Sequence, residues 1–382
     1  MQDATPSLPA LFPFAAVAGQ PQLRQALLLA AIDPQLGGVL IEGPRGTAKS
    51  TAARALAELI EGAPFVTLPL GASLEHLAGT LDLEQAMAGN AVRFAPGLLA
   101  RAHGGVLYVD EINLLPDALV DVLLDAAASG VNVVERDGIS HRHAARFVLV
   151  GTMNPEEGQL RPQLLDRLGL CVRLANVVEP AERQAIVRSR LAFDMDPEGF
   201  RARFADAQAD LSQRLRAARE RIAQPGALPW PDAVLADVGE RCIAARVDGL
   251  RADIVMLRAA RALAAWEGAS AVEARHVAPV AELVLAHRRH ADAGAPPPPL
   301  LAPGPSAEKP PGTRREGHAS ESATPGDGRS EGDGPADGGA SLAAGAADWG
   351  ALPPEPVGTQ AFKPVRPLLV PRGGQDSAPK KA

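Results

Sequence analysis

The chain has 382 residues, of which 46% are hydrophobic, 22% charged and 3% aromatic. That length suits two or three domains, and the apolar content is enough for buried cores. A net charge of −7 and the shortage of aromatic rings exclude the basic footprint of a duplex binder and the stacking platform of a single-strand binder, so nucleic acid is not an expected partner.

Two distant cysteines, Cys171 and Cys242, make neither a disulfide framework nor a CxxC zinc set. The longest apolar run, 26–32, ends at Asp33 and Pro34, far short of the roughly 18 residues of a membrane span. The first ten residues lack a basic segment, so no signal peptide is expected and a cytoplasmic location is.

In chain order, the first buried strand is predicted at 38–41. It runs through Glu42 into Gly43-Pro44-Arg45-Gly46-Thr47-Ala48-Lys49-Ser50-Thr51, and a helix is predicted over 51–59. Strand, glycine-rich loop and helix follow one another with close to the GxxxxGK[ST] spacing. Loop and helix N–H groups would face nucleotide phosphates. Lys49 would reach the β- and γ-phosphates, and Ser50 would hold Mg²⁺. ATP and Mg²⁺ are the ligands this pattern calls for. Ala48 stands where the motif has glycine, and its methyl group is tolerable only if its φ is negative. The competing reading is an incidental glycine-rich turn.

A second buried strand is predicted at 65–68. Residues 81–96 carry Gly89-Asn90 between two short segments and read as a hairpin interrupting a helix. The strand at 106–109 ends in Asp110 and Glu111. Strand ends of an open α/β sheet border the ligand crevice. Asp110 is placed to hold Mg²⁺ and Glu111 to orient and polarise the attacking water; a lone acidic turn is the alternative. Residues 131–146 contain Asp137-Gly138 between strand-like runs, a hairpin signal. His141 and His143 fall on one face of its second strand and are expected to face solvent rather than bind metal. The strand at 147–150 leads to Asn154, which could bond the γ-phosphate or the water, or simply mark a turn before Pro155.

From about 180 to 289 the apolar spacing becomes helical. From Asp292 onward the composition is Pro, Gly, Ala and Ser, which cannot bury enough apolar surface to order itself. Within it, 362–370 (FKPVRPLLV) reads either as chance enrichment or as a docking motif. Residues 1–178 are thus expected to form an α/β P-loop domain with a parallel sheet and crossover helices. Residues 179–291 are expected to form a small all-α domain, and 292–382 a disordered tail.

Four stretches resemble the AAA+ ATPases, and within them the ATPase subunits of the magnesium and cobalt chelatases of tetrapyrrole biosynthesis. They are GPRGTAKST, RFAPGLLARAHGGVLYVDEINLLPDALVDVLLDAAASG, VERDGISHRHAARFVLVGTMNPEEGQLRPQLLDRLGL and DGLRADIVMLRAARALAAWEG. The resemblance implies an ATP-hydrolysing motor with Asn154 as sensor 1 and Arg167 as the arginine finger toward a neighbouring subunit, Arg161 being the second choice. Arg251 would be the sensor-2 arginine on the helical lid. It also implies a homo-oligomeric, hexameric ring, a D-type partner with an integrin-type domain and a large tetrapyrrole-binding subunit. The two hairpins would face the ring pore or a partner, or else be inert ribbons. The tail resembles the linker of the D-type subunit. Two other readings stand beside this one: a MoxR-type AAA+ chaperone that activates a metalloenzyme, and a nucleotide-binding assembly platform that does not hydrolyse ATP.

Overall fold

Five short, mostly aliphatic strands build the centre of the molecule. The computed structural model describes residues 10–82, 93–136 and 139–289. Strands β1 (Val39–Glu42), β2 (Phe65–Leu68), β5 (Val106–Val109), β8 (Val148–Met153) and β9 (Leu170–Arg173) form one parallel sheet in the order β2-β5-β8-β1-β9. Alternate residues serve two cores. Val39, Ile41, Val106, Tyr108, Val148 and Val150 face one layer, and Leu40, Leu107, Val109, Leu149 and Cys171 face the other. Burial on both faces explains why these strands read as continuous apolar runs rather than alternating ones. Strand β9 is the element the sequence reading did not separate; it is a four-residue edge strand flanked by Gly169 and closed by Arg173.

The first core is covered by α1 (Pro21–Ile32), α2 (Lys49–Leu59) and the C-terminal helices. The second is covered by α3 (Leu74–Ala78), α4 (Leu98–Arg101), α5 (Asp117–Ser129) and α6 (Pro162–Arg167). Helices α7 (Pro180–Met195), α8 (Pro197–Arg203), α9 (Ala205–Ala223), α10 (Asp232–Ala245), α11 (Arg251–Trp266) and α12 (Ala274–Leu285) make up the all-α part. No helix among the described residues is long and apolar enough to cross a membrane.

Just beyond α12, Arg288 is nearly fully buried. Its guanidinium donates to Asp166 Oδ1 at 3.0 Å, to the Asp166 carbonyl at 2.7 Å, to the Gly169 carbonyl at 3.0 Å and to the Leu168 carbonyl. The neighbouring His287 donates from Nε2 to the Leu168 carbonyl at 3.0 Å. Burial first, then the adjacent Arg288 charge, pulls the His287 pKa down to about 3, so this imidazole is neutral at physiological pH.

Both insertions are antiparallel pairs. Strand β3 (Gly79–Asp82) pairs with β4 (Arg93–Pro96), and β6 (Val131–Arg136) with β7 (Ile139–Ala144). The turn residues Gly89, Asn90, Asp137 and Gly138 lie outside the described residues, as do 292–382 and the 362–370 segment within them. The two hairpins pack on each other. Phe94 stacks on His141 with ring centroids 4.3 Å apart and lies 5.0 Å from His143. Asn132, buried, donates to the Ala78 carbonyl at 2.8 Å and meets His143 Nε2 at 2.9 Å. The expectation of solvent-facing histidines is therefore corrected: both are half-buried against the other hairpin. Among the described residues no three His, Cys, Asp or Glu side chains gather as a metal group.

Candidate nucleotide site

The sheet order explains the site. Strands β5, β8 and β1 are neighbours, so their carboxyl ends lie side by side, and the chain continues from them into Asp110, Asn154 and the Gly43 loop. Register tightens the arrangement: Val109 pairs with Gly151 and Glu42 with Met153. A cleft of about 940 Å³ opens there, bordered by the loop from Arg45 through Thr51 and by Asp110, Glu111, Thr152 and Asn154. Its far wall is α7, through Arg183, Ile186 and Arg190.

Gly43 and Pro44 form the root of the loop rather than its lining. Gly43 holds φ at +147°, and a Cβ there would lie 2.7 Å from the Leu174 carbonyl oxygen, so no side chain fits. The Gly43 carbonyl accepts from Lys49 Nζ at 2.7 Å, and the Pro44 carbonyl accepts from the Thr47 hydroxyl at 3.0 Å. At Gly46, φ is +79° and a Cβ would meet nothing within 4 Å, so bare backbone faces open space. Ala48 departs from expectation. It sits in the left-handed region at φ 59°, ψ 24°, as the cap residue of α2, where a negative φ was expected. The loop keeps the backbone path of a glycine with a methyl group on it, and the strain is held by the elements on either side. The α2 N-terminus beyond it supplies unpaired N–H groups and the positive end of a helix dipole.

Partial burial lowers the Lys49 pKa, opposed by the charges of Asp110 and Glu111. Arg45 does not point at Lys49. Its guanidinium bridges Glu111 at 3.2 Å and Glu157 at 2.5 Å, so the loop is tied to the strand-end carboxylate. Asp110 is held by two hydroxyls on one oxygen: Tyr108 donates to Oδ1 at 2.9 Å and Thr152 donates to Oδ1 at 2.6 Å. Burial, then the bond to Asp110, raises the Tyr108 pKa, so the phenol stays a donor. Glu111 is a second strained position, with φ 51° and ψ 54°; its backbone N–H donates to Thr152 Oγ1 at 3.1 Å. Asn154 lines the cleft while its side-chain oxygen caps a short turn by accepting from the Glu156 N–H at 3.3 Å.

The two expected arginines lie elsewhere. Arg167, at the end of α6, binds Asp121 at 2.5 Å and also Asp125, both on α5. Arg251, at the start of α11, binds Asp166 at 3.3 Å. Neither lines the cleft of its own chain. Arg161 pairs with Asp117 at 2.6 Å and is 74% exposed, against 22% for Arg167. Sequence reasoning missed Tyr108, Thr152, Glu157 and the two α7 arginines. The only signal for Thr152 was its place two residues before Asn154, on the strand next to Asp110.

The residues fit a nucleotide with a hard divalent cation. Ser50 and Asp110 offer oxygen donors, which Mg²⁺ prefers, and the bare loop leaves room for phosphate oxygens against backbone N–H groups.

The profile of the AAA domain (dynein-related subfamily) matches residues 38–168, and that of the AAA lid domain matches 236–308. The magnesium-chelatase 38 kDa subunit of Rhodobacter capsulatus is 46% identical over 314 residues, covering 74% of this chain and 89% of the relative. The chain belongs to the magnesium-chelatase 38 kDa subunit family of AAA ATPases. An uncharacterized protein of Mycobacterium tuberculosis is 52% identical over 292 residues; the chain spans only 45% of that longer relative. Another member of this AAA family, from Chlorobaculum tepidum, is 44% identical and 81% covered. A cryo-EM-based structure of the complex between subunits BchI and BchD of magnesium chelatase contains a chain 45% identical to this one. That likeness covers 74% of this chain and 97% of that one, with a TM-score of 0.44.

Proposed function

We propose that this AAA ATPase is the ATP-hydrolysing motor subunit of a metal chelatase that inserts Mg²⁺ or Co²⁺ into a tetrapyrrole. The observation that carries the reading is the convergence of Lys49, Ser50, Asp110, Glu111, Thr152 and Asn154 on one cleft, in a chain that covers 89% of a 38 kDa chelatase subunit at 46% identity.

The loop from Gly43 to Thr51 binds the phosphates, with Lys49 as the charge that meets the β- and γ-groups. Ser50 and Asp110 hold Mg²⁺, which when bound neutralises charge building on the phosphates. Glu111 orients the attacking water and takes its proton, which requires Arg45 to release a carboxylate it now pairs with. Asn154 fixes the water or the γ-phosphate.

Arg167 and Arg251 are gathered around α6 and Asp166 rather than in their own cleft. That placement supports a site completed between copies, in which both arginines act on the neighbour's nucleotide. A guanidinium delivered this way is worth roughly 10³ to 10⁵ in rate in related phosphoryl transfers. On this reading the chain works as a homo-oligomeric, hexameric ring with a D-type subunit and a large tetrapyrrole-binding subunit. The AAA core is assigned to residues 1–178, the lid to 179–291 and a Pro/Gly-rich tail to 292–382, in the cytoplasm.

The test is steady-state ATP hydrolysis by the full chain over a range of protein concentrations, beside Lys49→Ala and Glu111→Gln. Specific activity should rise with concentration, Lys49→Ala should lose nucleotide binding, and Glu111→Gln should bind ATP without cleaving it. Normal hydrolysis by Glu111→Gln would overturn the mechanism.

A further inference from the structure

We infer that the Thr152 hydroxyl is a positioning residue that sets both acidic groups of the site at once, an inference that rests on the hydrolytic roles proposed for Asp110 and Glu111. A hydroxyl has one proton and two lone pairs. In Thr152 the proton goes to Asp110 Oδ1 at 2.6 Å, and a lone pair receives the Glu111 N–H at 3.1 Å. The residue is 1% exposed and lies on β8, where it pairs with Ile41 of β1, so the sheet fixes its place.

Each bond has a distinct effect. The bond to Asp110 acts with Tyr108, whose hydroxyl reaches the same oxygen at 2.9 Å. Two donors on Oδ1 fix the rotation of the carboxylate and leave Oδ2 as the oxygen free to meet a cation or its water shell. The bond to Glu111 acts on the backbone. Glu111 holds φ at 51°, a conformation costly for a residue with a Cβ. The Thr152 oxygen is the acceptor that holds its N–H there, and the strained backbone aims the carboxylate. Hydroxyl and strained turn together form one aiming device for the metal-holding and water-orienting groups.

Asp110 keeps its Tyr108 donor when Thr152 is changed, so the expected loss is in aim rather than in fold. Thr152→Val replaces the hydroxyl with a methyl of the same shape. It should lower kcat by about tenfold to a hundredfold, the range for loss of a partner that orients a metal-site ligand. KM for ATP should change less than about threefold, because the phosphate loop is untouched. The Mg²⁺ concentration for half-maximal turnover should rise. Thr152→Ser should restore turnover to within about threefold of the parent, with Thr152→Cys between.

A second readout needs no nucleotide. Hydrogen exchange of the peptide spanning residues 109–114 in the free protein should be faster in Thr152→Val and unchanged in Thr152→Ser. Parental kcat and parental exchange in Thr152→Val, with Glu111→Gln inactive, would overturn the inference and leave the site assignment standing. Parental hydrolysis by Glu111→Gln would instead overturn the site assignment itself. If Thr152→Val does not fold, the Ser and Cys variants still decide: equal kcat and equal exchange in both would reject the aiming role.

Discussion

Replacing Ala48 by glycine should make the protein more stable, against the usual direction for a helix-flanking alanine. Ala48 caps α2 at φ 59°, ψ 24°. The left-handed conformation costs an L-residue roughly 1–2 kcal/mol, a cost glycine lacks. Glycine is also the better N-cap of the two, by about 0.5 kcal/mol. Against this, glycine loses about 0.4–1 kcal/mol through the greater freedom of the unfolded chain. The balance favours Ala48→Gly by about 1 kcal/mol. At about 2–4 °C per kcal/mol for a domain of this size, the Tm should rise by roughly 2–4 °C. Thermal unfolding of the nucleotide-free chain measures it, beside Ala48→Val, whose branched side chain should lower the Tm. A fall in Tm for Ala48→Gly, or equal Tm values for the two variants, would refute the claim that this turn is strained.

Two further predictions follow from the arginine and histidine placements. Arg167→Ala should cost little stability, about 1 kcal/mol, because its partner Asp125 is largely exposed, yet should abolish turnover. Mixing it with Lys49→Ala should restore measurable hydrolysis through sites built from one intact half of each, whereas no recovery in the mixture would refute action between copies. His287 binds its proton more weakly in the folded state, about 3 against an ordinary 6.5. Its contribution to stability is therefore complete above pH 6.5 and is lost as pH falls toward 3. By pH 5 the loss should approach about 2 kcal/mol, and the Tm should fall between pH 7.5 and 5 more steeply than in His287→Gln; parallel profiles would reject this.

The parts of the fold legible in the sequence are those set by local pattern. Buried strands of a parallel sheet read as short aliphatic runs, and the phosphate loop has its own spacing. The β6–β7 pairing around Asp137-Gly138 followed from turn chemistry, whereas the β3–β4 register, Asp82 with Arg93, is centred two residues before Gly89-Asn90. Contacts made across long separations were not legible. Arg288 meets Asp166 across 122 residues, and Thr152 meets Asp110 across 42; neither leaves a spacing to read. Ala48 misled for a different reason. A rule about the intrinsic preference of one residue cannot see that the strand before it and the helix after it impose the glycine path. Strand β9 was missed because an edge strand of four residues, closed by Arg173, looks like any short apolar turn.

The buried Arg288 has a mechanical consequence. With His287 it fastens the end of the last lid helix to the backbone at 166, 168 and 169, the segment that directly follows and includes the end of α6, where Arg167 stands. Lid and arginine-bearing turn thus form a lever without a joint. A tilt of the lid is thus passed to the turn that bears Arg167, so a displacement of the last helix becomes a displacement of that guanidinium.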